Sequence, residues 1–234
     1  MGEVPCHGAV LAGTTVTGPS GKGVGKMLRV LITNIKGGCG KTTIATNLAA
    51  AFAAGGFVTG LAEVDRQRSS LSWLKLRNGH GRVIEGLDWR KEVGDTPADL
   101  RRLVIDAPAN LRMRHADDLI SEADLVVVPV LASVFDEGST ERFLAKLDEL
   151  KPIRKGRKTV ALVANRLRPR SKATQRLETF LERLGQPIAA RLSDRAIYGE
   201  LAVQGLSVFD IDGHLARPVR DEWRPLLNAI EEIS

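Results

Sequence analysis

Eight consecutive residues, Lys36-Gly37-Gly38-Cys39-Gly40-Lys41-Thr42-Thr43, carry the plainest chemistry in this chain. Glycines turn the backbone sharply and let several N–H groups converge on one anion without a Cβ in the way. Lys41 adds an ammonium able to reach the β- and γ-phosphates of a nucleotide, and the Thr42 hydroxyl is a ligand type for Mg2+. Gly37, Gly38, Cys39, Gly40, Lys41, Thr42 and Thr43 are therefore the expected nucleotide-binding residues, with a nucleotide and Mg2+ as the ligands they suit. A carboxylate at the tip of an apolar run, Leu103-Val104-Ile105-Asp106, can accept from a metal-bound water and hold the ion against the phosphates. Asp65 follows another apolar run; free aspartate, with a pKa near ~3.9, is a poor general base at neutral pH, so a residue of this type suits positioning and electrostatics better than proton abstraction.

These groups need elements to aim them. The apolar run Leu28–Ile35 reads as a buried strand and Ile44–Ala54 as a helix. A glycine turn between strand and helix points its N–H groups where the helix dipole also favours an anion. Together with the residues before it, the segment fits the general P-loop spacing from Asn34 onward, except that Asn34 stands where glycine is usual. Further strands are expected at Phe57–Val64, Arg82–Trp89 (as an edge), Leu103–Ile105, Leu125–Leu131, Thr159–Ala164 and Ile188–Leu192. Helices are expected at Ser69–Arg77, capped by Ser69 or Ser70, at His115–Glu122, Phe135–Leu150, Ser171–Leu184, Asp194–Gln204 and Arg220–Ile233. Another is expected to start at Thr96-Pro97. Alternating strands and helices predict an α/β fold, a mainly parallel twisted sheet with helices on both faces, whose ligands bind outside the carboxyl ends of the strands.

The second lysine, Lys36, sharpens the motif. Lys-Gly-Gly-x-Gly-Lys-Thr-Thr in a strand–turn–helix setting resembles the ParA/MinD family of deviant Walker ATPases, above all its small partition ATPases without an N-terminal DNA-binding domain. The resemblance runs from about Met27 to the end. It implies that Lys36 reaches across an ATP-sandwiched homodimer to the partner's phosphates, that Lys36, Lys41 and Asp65 are the catalytic residues, and that Thr42 and Asp106 hold the metal, the latter through water. It further implies that Asp65 orients the attacking water and that Asn165 reads the adenine edge; Arg166, next in the chain, could stack on the base and bind the nucleotide or belong to the basic face. Asp65-Arg66-Gln67 keeps one acid and the glutamine of the family's paired-acid motif but has Glu63 for the first acid and Arg66 for proline. The segment Pro129-Val130 to Asp136 resembles one that borders the dimer interface.

The chain has 234 residues, a net charge of +6 and a pI near 9.6. Between Lys151 and Arg191 twelve positive residues face only Glu178 and Glu182, a local excess of ten that leaves the remainder net acidic. Arg168, Arg170, Lys172, Arg176 and Arg183 fall on a loop and helix where they could face outward together and contact duplex DNA through its phosphates, without sequence preference. The resemblance then implies a slow ATPase that binds nucleoid DNA as an ATP-bound dimer, is released by a ParB-like or other adaptor that stimulates hydrolysis, and partitions a plasmid or chromosome. The alternatives are positioning of a protein cargo such as carboxysomes or chemotaxis clusters, and a MinD-like membrane cycle.

Several classes are disfavoured. No apolar run approaches the ~20 residues of a membrane span, and the acidic ending Glu231-Glu232 opposes binding to anionic lipid. Cys6 and Cys39 form no paired-cysteine motif, the histidines are dispersed, and the tryptophans stand in no basic aromatic cluster. A cytoplasmic, nucleoid-associated protein is expected. Residues 1–26 read as a flexible leader, whose Gly21–Lys26 stretch imitates a phosphate loop without a preceding strand, and residues 27–234 as one ATPase domain.

Overall fold

The computed structural model describes residues 26–233 apart from 110–112 and 157, so the expected leader lies almost wholly outside the described residues. In chain order the strands are β1 (Leu28–Ile32), β2 (Thr59–Glu63), β3 (Glu85–Asp88), β4 (Arg102–Asp106), β5 (Leu125–Leu131), β6 (Thr159–Leu167) and β7 (Ile188–Ser193). The helices are α1 (Lys41–Ala54), α2 (Ser69–Leu76), α3 (Met113–Glu122), α4 (Val134–Glu149), α5 (Lys151–Arg154), α6 (Lys172–Leu184), α7 (Ile197–Ala202), α8 (Ala216–Asp221) and α9 (Arg224–Glu231). All seven strands form one parallel sheet in the order β3-β2-β4-β1-β5-β6-β7.

Away from the exposed edge strand β3 both faces of the sheet are largely buried, which is why the inner strands read as continuous apolar runs. The side-chain period of two divides them cleanly. Val30, Ile32, Val104, Val127, Ala161 and Val163 pack with Ile44, Leu48 and Phe52 of α1 and with Trp223, Leu226 and Ile230 near the C-terminus. Leu31, Ile105, Val126, Val128 and Leu162 pack on the other side with Leu119, Ile120, Leu147, Phe180 and Leu181 from α3, α4 and α6. Because every strand is parallel, the carboxyl ends of β1, β2, β4 and β6 lie along one edge of the sheet.

Four local expectations are corrected. Thr96-Pro97 starts no helix: β4 begins at Arg102, and the few residues between form a turn closed by the Leu100 N–H to the Pro97 carbonyl at 3.2 Å. The single C-terminal helix expected over Arg220–Ile233 is two, α8 and α9. Pro225 has no N–H to give and its ring would clash with the carbonyl four residues back, while Trp223 at the break is fully buried and donates to the Tyr198 hydroxyl at 2.9 Å. The Asp194–Gln204 helix shrinks to α7. Asn165 and Arg166 do not follow β6 but sit within it, where the pairing to β7 is irregular between Ala164 and Leu167 and Arg166 has φ of 53°.

Candidate nucleotide-binding site

The chain leaves β1 into a tightly curled loop. Asn34 is buried; its Nδ2 donates to the Pro129 carbonyl at 2.7 Å and its Oδ1 accepts from the Lys36 N–H at 3.1 Å. An asparagine in the usual glycine place thus ties the loop to β5. The sequence reading saw only a departure there, because the partner lies 95 residues away. Lys41 is buried, with its ammonium donating to the Lys36 carbonyl at 2.9 Å, and Cys39 Sγ donates to the same oxygen at 3.2 Å. Burial pushes the Cys39 thiol up, so it is a packing group rather than a nucleophile. Gly40 has φ of 91°, and a Cβ there would stand 2.3 Å from Asn165 Nδ2, so glycine is demanded by both backbone and space. Gly40 also caps α1 and offers no side chain to its first turn, leaving those N–H groups for an anion.

Two carboxylates lie beside the loop. Glu63 and Asp106 end neighbouring strands in direct register, at 0% and 1% exposure. Desolvation, reinforced by the charge of Glu63, raises the Asp106 carboxyl to about 7, against the opposing pull of the Ser70 and Thr42 hydroxyls and of Lys41. Burial also raises Glu63. A buried acid pair facing a threonine hydroxyl is hard-oxygen chemistry of the kind that Mg2+ favours, and a divalent ion would offset the like-charge repulsion. Thr42, which is half-buried, and Asp106 therefore fit a metal, while Gly37–Thr43 and the α1 N-terminus fit phosphates.

Glu63 has a further task. Its carboxylate accepts from the N–H groups of Asp65 at 3.2 Å, Ser70 at 2.7 Å and Leu71 at 3.4 Å. The expected serine cap of α2 is thereby corrected: Arg68 with φ of 60° stands at the cap position without a side-chain bond, and a carboxylate from β2 serves the helix start. Ser70, fully buried, turns its hydroxyl to Asp106 Oδ2. The sequence marked Ser70 only as a possible helix cap and not as a partner of Asp106, which lies 36 residues away.

Asp65 is half-buried, and its Oδ1 accepts from the Gln67 N–H at 3.0 Å. Lys36 is half-buried on the same loop. Asn165 Nδ2 donates to the Cys39 carbonyl at 2.8 Å, so this side chain braces the phosphate loop, and Arg166 beside it is exposed. Phosphate loop, Asp65, Asp106 and Asn165 thus gather at one edge of the sheet. The side chain of Asp136, in α4, lies outside the described residues. The basic residues stand apart, beyond β6 and on α6. Arg168 pairs with Asp194 at 2.9 Å and Arg176 with Glu137 at 3.0 Å, though both remain exposed; Arg183 lies over the Phe180 ring. Among the described residues no helix is long and apolar enough to cross a membrane.

Comparison with known proteins agrees with this geometry. The sequence profile described as CobQ/CobB/MinD/ParA nucleotide binding domain matches residues 30–208. The chain is 32% identical over 223 residues to maintenance of carboxysome distribution protein A of Halothiobacillus neapolitanus, covering 88% of this chain and 97% of that one. Among solved structures, a McdA variant of Cyanothece in complex with ATP superposes with a TM-score of 0.67 at 15% identity, covering 88% of this chain and 96% of that one. The Aquifex aeolicus MinC:MinD cell division complex gives 0.66 at 18%, covering 86% and 96%. The profile spans most of the chain, its loop and acids lie where a phosphate-binding sheet edge requires them, and this protein belongs to the CobQ/CobB/MinD/ParA nucleotide-binding family.

Proposed function

We propose that this protein is an ATPase that dimerises on ATP and positions a protein cargo, a carboxysome or a comparable assembly, along a surface of nonspecifically bound DNA. One observation carries the enzymatic part: the uncapped N-terminus of α1, with Lys41 inside it, opens beside the desolvated Asp106 and Thr42. Lys41 and the loop N–H groups bind and orient the triphosphate; Thr42 and Asp106 hold the metal, which when bound neutralises phosphate charge. Asp65, at the end of a segment anchored by Glu63, orients the attacking water. Asn165 and Arg166 stand on the loop's flank, where a base could contact them. The full-length similarity to a carboxysome-distribution protein favours a protein cargo over the plasmid or chromosome first expected from the sequence. An adaptor that stimulates hydrolysis and a nucleoid-associated, cytoplasmic life complete the reading.

The test is sedimentation and light scattering in ATP, ADP and no nucleotide, beside hydrolysis measured with and without DNA. The wild-type chain is expected to be dimeric only with ATP and Mg2+, and Lys36→Ala to remain monomeric while still binding nucleotide. A variant that dimerises as well as wild type removes Lys36 from the role of bridging lysine.

A further inference from the structure

We infer that Ser70 is a positioning residue for Asp106, delivered by the Glu63 clasp, and that this pair sets the metal-dependent part of nucleotide binding. The inference rests on the nucleotide-site reading above and deepens it. Asp106 is almost wholly sealed from water, so no solvent molecule is free to fix which way its carboxylate faces. A carboxylate in such surroundings must be oriented by protein donors, since an unmet acceptor there is costly. Two hydroxyls act on it: Ser70, which donates to Oδ2, and Thr42 at the head of α1. Thr42 belongs to the phosphate loop and is itself a metal ligand type. That leaves Ser70 as the one hydroxyl that can hold the carboxylate without competing for the ion.

Ser70 owes its place to Glu63. The Glu63 Oε1 accepts from the Asp65 N–H, while Oε2 accepts from the Ser70 and Leu71 N–H groups, so one side chain grips both ends of the intervening turn. This clasp brings the first turn of α2 over the end of β4 and locks the Ser70 backbone where its hydroxyl meets Asp106. Arg68 is held in a left-handed conformation on the way, a cost that a loosely tied turn would relax. A polar residue buried completely at a helix start, with its hydroxyl turned away from the helix, has no capping duty to explain it. Its hydroxyl donates to the proposed metal-site acid and lies within reach of the Glu63 carboxylate that also holds its N–H.

The experiment measures affinity for a fluorescent ATP analogue in Mg2+ and in EDTA, for wild type, Ser70→Ala and Ser70→Cys. The cysteine keeps the volume but is a weak donor. Both variants are expected to lose about fivefold in Mg2+, the worth of one buried hydrogen bond, and nothing in EDTA. Circular dichroism melts of the nucleotide-free variants establish that each is folded, and the cysteine variant serves if the alanine variant is not. Equal loss in Mg2+ and EDTA would assign Ser70 a merely structural part and overturn the inference, as would wild-type affinity in both. Wild-type protein that binds no nucleotide in either buffer would overturn the nucleotide-site reading itself.

Discussion

At the residue scale the decisive fact is that acids and bases near the loop are judged by what surrounds them. Asp106 stands at about 7 rather than 3.8 because it is desolvated beside Glu63. In the metal-free protein the folded state therefore keeps a proton that the unfolded chain has already lost. Stability is highest below the unfolded pKa and falls as pH rises through the folded one. A shift of about three units, at roughly 1.36 kcal/mol each, bounds the effect at on the order of 4 kcal/mol. Thermal melts between about pH 5 and pH 7.5 should show the metal-free wild type weakening with rising pH, and Asp106→Asn markedly less so. An identical slope in the two proteins would show that some other group titrates.

At the scale of elements, the start of α1 is the part whose geometry is least forgiving. Gly40 sits at φ 91° with Asn165 Nδ2 directly behind it. Gly40→Ala carries a left-handed penalty of about 1–2 kcal/mol and pushes Asn165 away from the Cys39 carbonyl. We expect it to weaken ATP-analogue binding at least about tenfold, and the double variant Gly40→Ala/Asn165→Ala to recover part of that loss because the collision is gone. A double variant no better than the single would mean that backbone strain alone is responsible. The α2 start follows the same logic from the other direction: a carboxylate two strands' width from the loop does the capping, and frees the local serines for other partners.

At the scale of the molecule, tertiary pairing redistributes what linear charge counting found. The excess of positive residues between Lys151 and Arg191 is tempered by Asp194 and Glu137, which lie outside that stretch and pair with Arg168 and Arg176. Arg170, Lys172 and Arg183 have no ion-pair partner among the described residues, and since Arg183 lies over the Phe180 ring, Arg170 and Lys172 are the freer cations of the set. Arg170→Glu with Lys172→Glu is expected to lower affinity for random duplex DNA about tenfold or more at low salt, and Arg168→Gln less, because its charge is already partly neutralised. Equal losses would show that the arginine–carboxylate pairs open on binding. A buried Arg77–Asp210 pair, at 4% and 3% exposure, joins α2 to the segment before α8, and Asn47 Oδ1 accepts from the Val208 N–H. Through these contacts the phosphate helix and α2 share one packed unit with the C-terminal region.

Read without its folded form, the chain already declared its class. Continuous apolar runs mark strands covered on both faces, and a glycine loop between strand and helix turns its N–H groups to one side, since these are consequences of short-range backbone geometry. The loop, Asp65 and Asp106 could be named for the same reason. Asn34, Ser70 and the clasping role of Glu63 could not, because each depends on a partner brought near only when strands β2, β4 and β5 take their places around β1. Side-chain hydrogen bonds between distant residues leave no periodic trace. Helix ends suffered likewise: Pro97 and Trp223 are read correctly only when the space available before β4 and the burial of the indole are known.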